Sequence, residues 1–337
     1  MSIEERAKHE HRERLRQIKE LVKDTAMFIL CAAAVFFGLN DMLFHIKGVP
    51  SSTDVVRFFG GGSRPYVELG DGEVSVSFVD VGQGDCQLIR TGKYNILIDS
   101  GDTDCMDKVV GFLAYSGVDH LDLVIATHPH TDHYGAMYRV LREFDVGLFI
   151  MPELPDDMIP HGTTYERLLT VIDNRKITAR YAAAGERFLL GEDCYLDILS
   201  PIFYDYDDLN DFSITAKLVH GENSFLFTGD LQKFSELDLI ENVTDVDADV
   251  LKVGHHGSAG ASCEEFLNAV TPETAVFGVS EYNLYRHPRV DVLERLENVG
   301  CNTAYSTANN GNIVMVSDGK SIRVEVEKEQ ALILKSG

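Results

Sequence analysis

Two hydrophobic periodicities alternate along most of the chain, and together they predict a mixed α/β domain. From Val74 onward, apolar or alternating runs such as VSVSFVDV, CQLIRT, YNILIDS and LDLVIATH are separated by Gly, Asp and Asn, as strands are by turns. Between them, DKVVGFLAYSG, GAMYRVLREF and TYERLLTVIDN space their apolar residues along one helix face. The second half repeats this order, from CYLDILSP to the closing hairpin of NIVMVSD and SIRVEVEKE. We therefore expect two mixed sheets packed face to face with helices outside, a four-layer αββα sandwich with its site along one edge.

A different pattern precedes this domain. Residues 26–39 form an apolar or small run of 14 residues, whereas a helix that spans a bilayer needs about 20. Extension through Ile46 gives enough length, but it includes Asn40 and Asp41. Seven Lys and Arg residues precede the run, which favours a cytoplasmic N-terminus and an outward-facing domain.

These observations predict four segments: a charged cytoplasmic segment (1–24), a transmembrane anchor helix (25–46), a linker (47–73) and the folded domain (74–330). The chain would then be a single-pass protein of the cell membrane, with its membrane contact through the N-terminal helix and its domain extracellular. A cleaved signal peptide and a buried hydrophobic helix remain the alternatives.

Composition narrows the possible functions. A hydrophobic content of 45% and a charged content of 25% are ordinary for a globular protein. The formal net charge of −24 repels polyanions at long range and argues against non-specific nucleic-acid binding, although bound metals or a local basic patch would change this. The six cysteines form no CxxC pair, so neither a zinc ribbon nor a complete disulfide framework is expected.

The strand over residues 121–127 runs directly into HPHTDH, which holds four potential metal ligands within six residues: His128, His130, Asp132 and His133. Imidazole and carboxylate donors suit zinc, manganese or iron. Donors this close in sequence cannot all face one way on a strand or helix, but a loop can wrap them around two neighbouring metal ions. A centre of this kind activates a water molecule for hydrolysis.

This loop resembles the HxHxDH signature of the metallo-β-lactamase superfamily. ILIDSGD, FLFTGD and LKVGHHGS resemble three further blocks of that family, in the same order. The resemblance implies a structural carboxylate at Asp99, a bridging carboxylate at Asp230, and a last ligand at His255 or His256, of which we expect His255.

A narrower resemblance covers the chain from about Val74 to Val316. VDVGQGDCQLI, LKVGHHGSAGAS and YNLYRHP are similar to the metallo-β-lactamase domain of the ComEC-type competence proteins and its stand-alone form. Proteins of that type carry many membrane helices, whereas this chain has at most one, so alone it would not form a DNA channel.

One departure from the wider family bears on the metals. Classical members place a histidine between the HxHxDH loop and the bridging aspartate. This chain has DYDDLNDFSITAKL there, which resembles the Asn-containing segment of the ComEC type, with Asn210, Asp211 and Ser213 at about that place. The first site would hold His128, His130 and Asp230, with help from Asn210 or Asp211. The second would hold Asp132, His133, Asp230 and His255. We expect two divalent ions, zinc or manganese, with the first bound weakly.

The remaining roles follow from the resemblance. Asp132, His256 and His287 are the expected catalytic groups, while Asp80, Asp99, Asn210 and Asp211 would hold the ligands in place, as Gln83 and Asp85 of the GQGD turn could also do. The resulting hypothesis is a metal-dependent hydrolase, a phosphodiesterase or nuclease, acting on single-stranded DNA or a small phosphodiester, with no protein partner. The alternatives are a lactonase or β-lactamase type of C–O or C–N hydrolase and a catalytically weak metal-binding surface protein.

Overall fold

The computed structural model of the protein describes residues 67–329. The predicted cytoplasmic segment, the anchor helix and most of the linker lie outside these residues. Within the described range, none of the helices combines the length and the apolar character needed to cross a bilayer.

The described residues form two sheets and the helices that cover them. The strands, in chain order, are β1 (Val74–Phe78), β2 (Gln87–Arg90), β3 (Asn95–Ile98), β4 (His120–Ile125), β5 (Asp145–Met151), β6 (Ala179–Tyr181), β7 (Arg187–Leu189), β8 (Cys194–Ile198), β9 (Ala216–His220), β10 (Asn223–Phe227), β11 (Val250–Lys252), β12 (Thr274–Phe277), β13 (Thr303–Ser306), β14 (Ile313–Ser317) and β15 (Ile322–Val326). The α-helices are α1 (Met106–Tyr115), α2 (Thr131–Tyr134), α3 (Met137–Glu143), α4 (Thr163–Arg175), α5 (Lys233–Asn242), α6 (Glu264–Val270), α7 (Val290–Asn298) and α8 (Thr307–Asn310).

The two sheets share one internal plan. The first has the strand order β15-β14-β1-β2-β3-β4-β5-β6, and the second has β13-β12-β11-β10-β9-β8-β7. In the first sheet the pairs from β15 to β3 are antiparallel and those from β3 to β6 are parallel. The second sheet is antiparallel from β7 to β10 and parallel from β10 to β13. The prediction of two mixed sheets in two similar halves is therefore confirmed.

Three apolar clusters separate the layers. Between the sheets, Ile125 of the first packs with Phe227 of the second and with Ile214, which precedes β9. On the outer face of the first sheet, Leu113 of α1 joins Leu141 of α3, and a third cluster joins α6 and α7 to the second sheet. Because each sheet buries both faces, its central strands are nearly continuous apolar runs, such as NILI. The four-layer αββα arrangement follows.

The parallel strands position the polar loops. Strands β3 and β4 run parallel, and so do β10, β11 and β12. The carboxyl ends of parallel strands meet at one edge of a sheet, and polar groups delivered there by loops are a common origin of active sites. The HPHTDH loop follows β4, the TGD segment follows β10, and the GHHG turn follows β11.

Candidate metal centre

The HPHTDH loop buries its first and last histidines. His128 and His133 are fully buried, and His130 is the residue before α2. The Nε2 atom of His128 lies 3.1 Å from Nδ1 of His130. The turn at residues 80–86 packs against the loop, because the amide of Asp85 donates to the carbonyl of Asp132 over 3.1 Å. Gly84 has a φ of +143°, and a side chain there would collide with that same carbonyl oxygen, so only glycine suits this close approach.

Asp230 lies at the centre of the site and is almost fully buried. Its Oδ1 atom is 3.2 Å from Nε2 of His133. Its Oδ2 atom is 3.5 Å from Nε2 of His256, 3.8 Å from Nε2 of His255 and 3.9 Å from Nε2 of His128. The Asp230 carboxylate thus faces His128 and His133 of the HPHTDH loop and both histidines of the GHHG turn.

The two adjacent histidines have different surroundings. Both have left-handed backbone conformations, with φ of +46° at His255 and +55° at His256, which non-glycine residues adopt rarely and often at functional sites. The His256 side chain is 2% exposed, and its Nε2 lies 3.3 Å from Nε2 of His133 and 3.3 Å from Oδ2 of Asp132. The His255 side chain is 26% exposed and its Nδ1 has no hydrogen-bond partner among the described residues. The geometry therefore favours His256 in the ligand position that the sequence analysis gives to His255.

Two buried carboxylates orient these imidazoles from behind. The Nδ1 atom of His133 lies 2.8 Å from Oδ2 of Asp99, which also accepts from the Thr127 hydroxyl, while Oδ1 of Asp99 accepts from the Thr127 amide. The Nδ1 atom of His256 lies 3.4 Å from Oδ1 of Asp85. A carboxylate on one ring nitrogen fixes the tautomer and leaves the other nitrogen free to bind a metal. Asp99 thus has the contacts of the expected supporting residue, and Asp85 faces His256 from the same side over a longer distance.

The other expected supporting residues have contacts of a different kind. Asp80 accepts from the Gly82 amide and faces the ammonium of Lys108 at 3.5 Å, so its contacts shape the turn. Asp211 accepts from the hydroxyl of Ser235 over 2.5 Å. The buried Asn210 has an Oδ1 with no hydrogen-bond partner in the range 67–329.

Two residues with clear roles in the geometry were not assigned any by the sequence analysis. The Ser213 hydroxyl accepts from the Asp230 amide over 3.1 Å, so the segment before β9 reaches the site through this serine. Lys252 is 1% exposed, and its ammonium lies 2.5 Å from Oδ2 of Asp85. Its signal in the sequence is a lysine inside the apolar run ADVLKVG, but the partner comes from a distant turn.

His287 lies at the mouth of the site. Its ring centroid is 5.9 Å from that of His255, and its buried Nδ1 has no hydrogen-bond partner in the described part of the chain. Burial lowers the pKa of His287 to about 4, and the positive charges of His256, His255 and Arg289 add to this. The ring is therefore neutral at neutral pH and can donate or accept one hydrogen bond.

The buried charges are strongly coupled. Burial alone would raise the pKa of the Asp230 carboxyl, but the neighbouring His133 and His256 hold it well below its usual range. Burial alone would lower the pKa of His256, yet the carboxylates of Asp230, Asp132 and Asp85 raise it to about 9. Without a metal ion, protons on the imidazoles balance the carboxylates. A divalent cation would balance the same charges, so its binding would release protons.

The spacing and chemistry of these groups fit a metal ion. Asp85, His133, Asp230 and His256 are buried, and their potential ligand atoms lie within 4.8 Å of one another. Two nitrogen ligands of a tetrahedral zinc ion lie about 3.4 Å apart, close to the 3.3 Å between the Nε2 atoms of His133 and His256. Among residues 67–329, Asp230 Oδ1 has no hydrogen-bond partner despite its short distance from His133, as expected for two ligands of one cation. Asp85 meets the Nδ1 side of His256 and a lysine, so it suits the supporting role better than that of a ligand.

Comparisons with known proteins identify the family of the chain. The family profile of the metallo-β-lactamase superfamily matches residues 79–279. The chain is 30% identical over 247 residues to ComE operon protein 3 of Bacillus subtilis, which covers 67% of this chain and 31% of that protein. It is 30% identical over 228 residues to competence protein ComA of Neisseria gonorrhoeae, with shares of 67% and 30%. The chain thus spans about a third of the length of these relatives, and the resemblance to the competence proteins is confirmed. A solved structure, that of the metallo-β-lactamase fold protein YhfI of Bacillus subtilis, has a TM-score of 0.49 at 12% identity and covers 73% of this chain and 100% of that one.

Proposed function

Because the chain belongs to the metallo-β-lactamase superfamily, we propose that it is a phosphodiesterase that uses two divalent metal ions. Its family and its buried ligand cluster make it a metal-dependent hydrolase, and the phosphodiester substrate is the proposed part. The observation that carries the proposal is the single buried carboxylate of Asp230, whose oxygens lie 3.9 Å from His128, 3.2 Å from His133 and 3.5 Å from His256. Centres with two ions are typical of enzymes that displace one oxygen of a phosphate ester by another.

Each group of ligands has a separate role. His128 and His130, with Asp230, would hold one ion, and Asp132, His133 and His256, again with Asp230, would hold the other. Zinc and manganese both suit this mixture of nitrogen and oxygen donors. Bound ions supply a water of lowered pKa and positive charge for the phosphate oxygens.

The protein groups around the ions orient the ligand rings and hydrogen-bond the substrate. Asp99 and Asp85 fix the rings of His133 and His256, so that their Nε2 atoms point inward. His287, neutral and without a partner at Nδ1 in the described residues, is placed to hydrogen-bond a substrate oxygen that projects from the site. The net charge of −24 favours short phosphodiesters over long polyanions, so a small phosphodiester or a short single strand of DNA is the expected substrate.

The test is a substrate panel with controlled metal content. The purified chain, loaded with zinc or manganese, is assayed with bis-p-nitrophenyl phosphate, with nitrocefin and with a lactone. We expect two ions per chain and turnover of the phosphodiester, lost after chelation and restored by the metal. Faster hydrolysis of nitrocefin or of the lactone would favour C–N or C–O hydrolysis. Two bound ions without turnover of any substrate would favour a metal-binding surface protein.

We also propose that residues 25–46 anchor the chain in the cell membrane, with the hydrolase domain outside. The apolar run and the seven basic residues before it support this orientation. We expect the full chain to stay in the membrane fraction after alkaline extraction, and Val35→Lys to weaken this retention, since a central charge in a membrane helix costs about 2.5–3.5 kcal/mol. A soluble full chain of unchanged mass would refute the anchor, whereas a shortened soluble chain would indicate a cleaved signal peptide.

A further inference from the structure

An exposed loop at residues 280–289, here called the rim loop, borders the metal centre. It connects β12 to α7, and its ends are held near the ligands. The amide of Ser280 donates to Oε1 of Gln83 over 3.4 Å, and the amide of Arg289 donates to the carbonyl of Gly257 over 2.9 Å. Within the loop, the Asn283 side chain accepts from the amide of His287 and donates to its carbonyl. The rim loop is therefore a fixed turn that carries His287 to the site.

This loop presents large apolar side chains to solvent. Of the ten exposed large apolar residues among the described ones, three lie in the rim loop, Tyr282, Leu284 and Tyr285, and a fourth, Val290, begins α7 directly after it. Tyr285 is 67% exposed, and its ring stacks on that of His287 with centroids 5.5 Å apart and an interplanar angle of 24°. Clustered exposed apolar groups mark binding surfaces. Here the exposed ring of Tyr285 contacts His287, whose ring lies 5.9 Å from that of His255 in the metal centre.

The same loop carries unpaired positive charge. Arg286 and Arg289 are exposed, and neither has a carboxylate partner within residues 67–329. Most other arginines described are paired with carboxylates: Arg139, Arg142, Arg175, Arg180, Arg187 and Arg323. In a chain of net charge −24, these two exposed guanidinium groups, which flank His287 in the sequence, are available to bind an anionic group. Guanidinium forks match phosphate oxygens well.

We propose that the rim loop is a nucleotide subsite of the phosphodiesterase, so this inference rests on the proposed function. The base next to the scissile phosphate stacks on Tyr285. Arg286 or Arg289 binds the next phosphate along the strand. Aromatic side chains next to positive charge are the usual means of binding single strands without sequence preference. A protein or a membrane surface would not require an aromatic ring stacked on a histidine of the site.

The first experiment compares two phosphodiesters with the same leaving group. One is the p-nitrophenyl ester of thymidine 5′-phosphate, and the other is methyl p-nitrophenyl phosphate, which has no base. We expect kcat/KM to be at least about 5-fold higher for the thymidine ester, mainly through KM, as the lower end of base stacking allows. Tyr285→Leu should remove most of this preference, whereas Tyr181→Leu, which changes an exposed tyrosine in β6, should keep it.

The outcomes separate the two proposals. If neither ester is hydrolysed, the proposed function fails. If both are hydrolysed with equal kcat/KM, the function stands and the nucleotide subsite is refuted. Arg286→Gln and Arg289→Gln should raise KM for a thymidine dinucleotide more than for the single-nucleotide ester, and equal effects on both would remove the arginines from the subsite.

A binding measurement keeps the test independent of turnover. The chain has no tryptophan, so Tyr285→Trp introduces a single fluorescent reporter into the metal-loaded protein. A phosphorothioate thymidine tetramer, which resists hydrolysis, should quench this fluorescence, and the matched abasic tetramer should not. Tyr181→Trp is the control and should respond to neither. Equal quenching by both tetramers would refute base stacking, and no quenching would refute the subsite.

Discussion

An Asp230→Asn variant is expected to lose more than about 100-fold in phosphodiester turnover and to bind fewer than two metal ions per chain. Residues that only orient a ligand contribute roughly 10- to 100-fold in affinity or activity, and a ligand shared by two ions should exceed this. Asp230 places one oxygen 3.2 Å from His133 and the other 3.9 Å from His128. A neutral amide keeps the size of the side chain but lacks its charge and its second acceptor oxygen.

The measurements are metal stoichiometry by elemental analysis and turnover of bis-p-nitrophenyl phosphate, for the variant and the unmodified chain side by side. Asp197→Asn is the matched control, since this aspartate also lies in the second sheet, on β8, and pairs with Arg187 at the surface. It should keep both ions and full turnover. An Asp230→Asn protein with unchanged metal content would show that the two groups of histidines bind their ions without a shared carboxylate.

The parts of the fold that the sequence predicts are those whose pattern is local. The strand before the HPHTDH loop and the helix α4 have periodicities that match their burial, with Tyr165, Leu168 and Val171 on the buried face of the helix. Helix α5 was not predicted, because KFSELDLIEN has no clear apolar stripe. Its buried residues include Ser235 and Glu236, and Glu236 is held by the backbone amides of Ser262 and Cys263. Such polar burial depends on partners distant in the sequence.

In the metal centre too, the local sequence predicts some features and not others. The sequence predicts that two adjacent histidines follow β11, but adjacent residues in a strand would face opposite ways. The left-handed turn at both residues decides that His256 points inward, with 2% exposure, while His255 lies nearer the surface. Similarly, Asn210 and Asp211 stand at the expected place in the sequence, but the segment touches Asp230 through the hydroxyl of Ser213. Backbone conformation, which has no signature in residue spacing, determines both results.

The second large effect is expected at Lys252, whose replacement by methionine should lower the free energy of unfolding by about 3 kcal/mol. Removal of one partner from a buried ion pair typically costs 3–5 kcal/mol, because the other charge is left without compensation. Lys252 and Asp85 are each 1% exposed and lie 2.5 Å apart. The lower end of the range applies because His256 still faces Asp85 at 3.4 Å. Urea unfolding of the metal-free protein measures the change.

Two further variants show whether the loss comes from the uncompensated charge. In Lys252→Met with Asp85→Asn, no charge is left unpaired, so the double variant should be more stable than Lys252→Met alone. Lys217→Met is the matched control. Lys217 is also buried, with a side chain 6% exposed, but its partner Asp245 is 71% exposed and remains solvated when the lysine is lost. That change should cost less than about 1 kcal/mol, in the range of surface pairs. Equal losses for Lys252→Met and Lys217→Met would mean that Asp85 gains no stabilisation from Lys252, and that the ring of His256 is oriented without this ion pair.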